Sequence, residues 1–121
     1  MIGHEILSGD MKIFLHHIYE LQKGVRSMAL CTLPKREEAF AEQRLQEQQM
    51  DYMKQELNNN HVNFFFGEKA CLEVVRMIVD RPLNCLSPEE DFIIGALLGY
   101  DICQQCKRFC SWKEKGISKT A

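Results

Sequence analysis

Hydrophobic and polar positions divide the chain into short segments of differing period. From Met11 to Lys23 the apolar residues Phe14, Ile18 and Leu21 recur at helical spacing, and Asp10 stands where a helix cap belongs. The same segment holds Ile13-Phe14-Leu15, a run equally suited to a strand, so both readings stay open as far as Gly24. Arg26 to Leu33 is mostly apolar, lies between Gly24 and Pro34, and predicts a strand. Lys35 to Leu57 has neither Gly nor Pro and is rich in Glu, Gln, Met and Leu, which predicts one long helix. Its apolar stripe of Ala41, Leu45, Tyr52, Met53 and Leu57 is thin, and its glutamine-rich middle should face water.

Asn58-Asn59-Asn60 ends that helix, because Asn tolerates the left-handed conformation and competes for backbone hydrogen bonds. His61 to Phe66 is the strongest strand signal and ends at Gly67; Glu68 to Val79 places Cys71, Val74, Val75 and Ile78 at helical spacing before Pro82. Ser87-Pro88-Glu89-Glu90 reads as a capping box with proline in the first helical position. The helix it opens is expected to run to about Trp112. Between Phe92 and Leu98 it is apolar all round, which requires burial on more than one side, and Gly95 and Gly99 leave a flat groove for a close backbone contact. The resulting fold class is α+β, with a strand-helix-strand unit and a long C-terminal helix. The two strands of that unit are expected to be a parallel pair joined by a crossover. A third strand is expected from the N-terminus or from a second subunit.

Composition narrows the function classes. The 121 residues, 45% hydrophobic and 26% charged, suit a single compact domain spanning 1–121. A net charge of -2 gives no overall basic field for nucleic acid. The longest apolar run, Phe92 to Leu98, is far below the roughly 20 residues needed to span a bilayer. The first ten residues lack a basic n-region, so the expected location is cytoplasmic, with no membrane partner. From Lys107 onward there are five basic residues and one acid, read as a solvated end that frays from about residue 113.

Six cysteines, in a reducing compartment, are core residues, metal ligands or redox thiols. Cys103-x2-Cys106-x3-Cys110 has ligand-like spacing for zinc or part of an iron–sulfur cluster. On a continuous helix, however, the three form one stripe about 10 Å long, which a single ion with bonds of about 2.3 Å cannot span. The expectation is therefore free thiols and no cofactor, although Cys103 and Cys106 can chelate as a pair if another segment supplies the remaining ligands. His16, His17 and Glu20 share a face if their segment is helical, a His/carboxylate arrangement that can ligate a divalent ion. A strand would separate His16 from His17. Phe66-Gly67-Glu68-Lys69-Ala70-Cys71 runs from a strand into a helix start, where backbone N–H groups bind anions and a thiol is activated; the same pattern is also an ordinary strand-to-helix turn with a core cysteine. Phe64, Phe65 and Phe66 read as core, not as a base-stacking platform, because their neighbours are not basic. No nucleophile–base–orienter set is legible, so no catalytic residue is assigned.

The stretches His16-His17-Ile18-Tyr19-Glu20, Asn63-Phe64-Phe65-Phe66-Gly67, Pro88-Glu89-Glu90-Asp91-Phe92-Ile93-Ile94-Gly95, Leu97-Leu98-Gly99-Tyr100-Asp101 and Gln105-Cys106 resemble a small bacterial family filed as a domain of unknown function. The resemblance spans nearly the whole chain apart from the tail, and Cys103 and Cys110 lie outside the positions that carry it. It implies a mixed fold of about three strands and about five helices, a homodimer, and no known activity. It also implies an association with flavodoxin-linked gene contexts. The leading functional expectation is a homodimeric binding or interaction module, with a protein partner unidentified. The alternative is a redox or metal accessory protein, linked to flavodoxin-type electron transfer, that uses Cys103, Cys106 and Cys110.

Overall fold

His61–Gly67 forms the middle strand of a three-stranded sheet, and its composition decides the architecture. Val62, Asn63, Phe64, Phe65 and Phe66 are all buried, so side chains leaving both faces of this strand need cover. The computed structural model describes residues 7–116. In chain order the elements are α1 (Gly9–Gln22), β1 (Met28–Pro34), α2 (Glu38–Glu47), β2 (Asp51–Glu56), β3 (His61–Gly67), α3 (Lys69–Ile78), α4 (Pro88–Leu97) and α5 (Ile102–Glu114). Short 3-10 turns at Lys35–Glu37 and Leu83–Cys85 lead into α2 and towards α4.

The sheet order is β1-β3-β2, and both outer strands run antiparallel to β3. The strands of the expected strand-helix-strand unit, Arg26 to Leu33 and His61 to Phe66, correspond to β1 and β3, which are hydrogen-bonded neighbours but run antiparallel, not parallel. The chain between them adds a further strand, β2, that reverses its direction, so β1 and β2 run the same way with β3 between them, a split β-α-β arrangement. The third strand, expected from the N-terminus or another subunit, comes from within the segment read as one long helix. That helix stops at Glu47, Gln49 takes a left-handed φ of 54°, and the chain re-emerges as β2. Tyr52 and Met53, assigned to a helical stripe, instead face Phe66 and Phe65 across the ladder.

Two cores result. On one face Met11, Phe14 and Ile18 of α1 and Ala41 and Leu45 of α2 pack on Ala29, Cys31, Leu33, Val62, Phe64 and Phe66. On the other, Leu72 and Val75 of α3 and Ile94 and Leu98 of α4 cover Met28 and Phe65, with Val79 and Leu86 closing the edges. The stretch from Met11 to Lys23, open between helix and strand, is helical as far as Gln22. Its cap is Ser8, whose Oγ accepts from Met11 N at 3.0 Å, and Asp10 lies in the first turn.

One polar row crosses the second face. Thr32, Asn63 and Gln55 are aligned on neighbouring strands. Thr32 Oγ1 donates to Asn63 Oδ1 at 2.6 Å, Asn63 Nδ2 donates to Gln55 Oε1 at 3.2 Å, and Gln55 Nε2 donates to the Arg81 carbonyl at 3.0 Å. Asn63 is only 2% exposed, and the row satisfies its carboxamide.

The C-terminal region ends in the helix α5, but the single rod expected from Pro88 to Trp112 is two helices. Tyr100 N donates to the Gly95 carbonyl at 3.1 Å and Gly99 has φ +78°, a Schellman-type ending of α4. Asp101 then caps α5 by accepting from Gln104 N at 2.9 Å. The groove expected at Gly95 and Gly99 is also corrected. A Cβ at Gly99 would meet nothing within 4 Å, and one at Gly95 would meet the Gln105 side chain of α5, not a backbone. Lys113 and Glu114, placed in the expected frayed tail, are still helical, and residues 117–121 lie outside the described residues.

Two glycine substitutions test these contacts. At Gly67 a Cβ would stand 2.3 Å from the Ser27 carbonyl oxygen and 2.8 Å from Met28 Cα, with φ at +143°. Gly67→Ala is expected to destabilise by about 1–3 kcal/mol or more in denaturant titration, because the clash is with backbone that cannot turn aside. Gly99→Leu should cost about 1–2 kcal/mol through its left-handed backbone, and Gly99→Asn clearly less. Equal stability of the two Gly99 variants would exclude that cause.

Candidate functional site

The candidate site is the hairpin formed by α4 and α5. Its entry is fixed by the capping box: Glu90 N donates to Ser87 Oγ at 3.1 Å and Ser87 N to Glu90 Oε1 at 2.9 Å, with Pro88 at the first position. Arg81 also pairs with Glu90, which together with Ser87 holds that carboxyl below its ordinary value. The two helices then run back along each other. Phe92 and Phe109 meet edge to face at 5.8 Å between ring centroids. Arg108 reaches Asp91 at 2.8 Å and lies over the Trp112 ring at 4.0 Å, and Lys113 reaches Glu89 at 2.7 Å. The Lys113 hydrogen bond lowers the Glu89 pKa.

Despite these contacts α5 has no buried residue. Between it and α4 lies an open cleft of about 400 Å³, lined by Glu89, Phe92, Ile93, Cys106, Phe109 and Cys110. Ile93 is 40% exposed and Ile102, at the start of α5, 56%. The apolar run from Phe92 to Leu98 is thus only partly covered: Ile94, Gly95 and Leu98 turn to the core, whereas Ile93 and Ala96 face outward.

The cysteines divide by burial. Cys31 is in the sheet core, and burial pushes its thiol up to about 12. Cys71 and Cys85 are half-buried. Cys103, Cys106 and Cys110 are exposed along α5, on the one continuous helix that their spacing implies, and Cys106 and Cys110 face the cleft. Among the described residues no group of three or more His, Cys, Asp or Glu side chains is placed to hold a metal ion.

The helical form of α1 brings His16, His17 and Glu20 together. His17 Nδ1 donates to Glu20 Oε1 at 2.8 Å, and His16 Nε2 lies 3.7 Å from Oε2. The fourth member of this cluster is a residue that sequence spacing did not connect with it, Arg26, whose Nε lies 3.2 Å from Glu20 Oε1. Glu20 is held below its ordinary pKa, first by the His17 hydrogen bond, against a cost of burial that exceeds the further lowering by the Arg26 charge. A permanent cation therefore stands where a divalent ion would have to approach, and the arrangement is an ion-pair cluster. Arg26 Nη1 also reaches the Leu98 carbonyl at 3.4 Å, tying the cluster to the end of α4.

The turn from Phe66 to Cys71 is accounted for by packing. Glu68 N donates to the Ser27 carbonyl at 2.9 Å, and Cys71 lies against the Leu72 and Val75 core. Phe64, Phe65 and Phe66 are each 0% exposed, so none offers a ring for a base to stack on.

Reactivity should follow this division. In the folded, reduced protein a thiol reagent is expected to modify Cys103, Cys106 and Cys110 rapidly and Cys31 only on unfolding. The raised pKa of Cys31 also makes stability depend on pH. Folded protein keeps that proton while unfolded protein releases it, so the contribution is complete below about 9.0 and is lost as pH rises towards about 12. Alkaline unfolding of Cys31→Ala should accordingly show a shallower loss of stability across that window than wild type; parallel curves would exclude the thiol as the cause.

No curated protein matches the chain. Residues 12–112 match the family described as protein of unknown function, DUF2023, and the chain belongs to that family.

Proposed function

We propose that the chain is a homodimeric interaction module of the cytoplasm that docks through the cleft between α4 and α5. The observation that carries this reading is that α5, a 13-residue helix with apolar residues along one side, buries none of them. A helix of that length is marginal by itself in water and draws its stability from a covered apolar face. An antiparallel pair of helices with an apolar seam closes against a second such pair as a four-helix bundle. A two-fold contact would set this apolar seam of one copy against the same seam of the other, with the Glu89–Lys113 pair at its rim. Among the described residues no helix is long and apolar enough to cross a membrane.

The alternative, a redox or metal accessory protein, draws on the exposure of Cys103, Cys106 and Cys110 together. Metal content and visible absorbance of anaerobically purified protein bear on it directly.

Sedimentation tests the dimer. Wild type is expected to be dimeric at micromolar concentration. Ile93→Lys, which changes an already exposed side chain, should weaken association at least about tenfold, equivalent to about 1.4 kcal/mol, without loss of helical signal. A wild type that stays monomeric both with and without added divalent metal, or a dimer indifferent to Ile93→Lys, would exclude docking through this cleft.

A further inference from the structure

Cys106 and Cys110 are exposed free thiols that line the cleft, and the unbroken helix α5 sets them one turn apart on one face. They are about 6 Å apart along the helix axis at 1.5 Å per residue, half or so of the stripe that ends at Cys103. Two thiolates at that spacing can converge on one tetrahedral ion with bonds of about 2.3 Å. One chain supplies no further ligand, because no set of three candidate ligand side chains occurs among the described residues and Glu89, the other ionisable group in the cleft, is held by Lys113.

We infer that Cys106 and Cys110 are half of a four-thiolate site for a thiophilic divalent cation of the zinc class, completed by the same two cysteines of a second copy docked on the cleft. The inference rests on the homodimer reading and adds what the interface binds. A two-fold axis through the cleft makes the two pairs equivalent, and four sulfur ligands close the tetrahedron, leaving no open position for water. A donor set of sulfur alone selects zinc over magnesium or calcium, which require oxygen. The apolar walls strengthen the attraction between thiolate and cation. Each of the four thiols releases its proton to solvent as its sulfur bonds the ion, and no electron is transferred. The product is a centre of charge -2.

The test is titration of fully reduced, full-length protein with cobalt(II) and with zinc(II), alongside sedimentation with and without a chelator. One ion per two chains is expected, with thiolate charge-transfer absorbance and the visible bands of tetrahedral cobalt. Cys106→Ser and Cys110→Ser should each lose these signals, whereas Cys103→Ser keeps them; circular dichroism confirms that each variant is folded. A metal-free monomer that dimerises on zinc addition supports the site. One ion per chain, equal loss in Cys103→Ser, or a dimer that takes up no metal would overturn it, the last leaving the dimer reading intact. A monomer in both conditions would remove both.

Discussion

The burial of β3 on both faces is the constraint from which the remaining structure follows. A strand carrying Phe64, Phe65 and Phe66 in succession has no solvent face, so a helical layer is required on each side of the sheet. The α1 and α2 layer covers the face of Phe64 and Phe66, and α3 with α4 covers Phe65. With only three strands, every pairing is made through β3. The packing of Ser27 and Met28 against Gly67 therefore fixes where the chain leaves the sheet to start α3. By the time the chain reaches α5 both faces are already occupied, and the last helix has only α4 to rest on.

Legibility in the sequence followed the range of the interaction responsible. Ser87-Pro88-Glu89-Glu90 specifies its own hydrogen bonds within four residues, and the helix starts where those residues place it. The burial of β3 is equally local, written in five consecutive residues. β2 is the opposite case. Asp51-Tyr52-Met53-Lys54-Gln55-Glu56 has little strand propensity, and its conformation comes from hydrogen bonds to β3, a contact made across the hairpin turn. The stop before it relies on Gln49 in a left-handed conformation, for which neither Gly nor Pro gives warning. The division of α4 from α5 did have a signal, a glycine followed two residues later by a capping aspartate. The apolar run around Phe92 concealed it, since hydrophobicity alone is continuous across the turn.

For the candidate site, residue spacing was informative about faces and silent about neighbours. The stripe of Cys103, Cys106 and Cys110 follows from helical period alone. That Cys106 and Cys110, and not Cys103, adjoin Phe92 and Ile93 depends on how α5 folds back on α4. Similarly, the spacing of His16, His17 and Glu20 gave the cluster on α1, whereas the arginine that completes it lies beyond the turn at Gly24.

The row from Thr32 through Asn63 to Gln55 makes strand pairing discriminating as well as strong. Phenylalanines on both faces of β3 would tolerate sliding, since a shift of one residue exchanges one aromatic ring for another. The carboxamide does not permit it. A slip by one position would turn Asn63 away from Thr32 and Gln55 and leave its donors and acceptor among aliphatic groups, a penalty of about 1–3 kcal/mol for each unsatisfied group. Asn63, the one buried polar side chain among the described residues, thus acts as an alignment key, making the correct register the one in which the interior is electrically quiet.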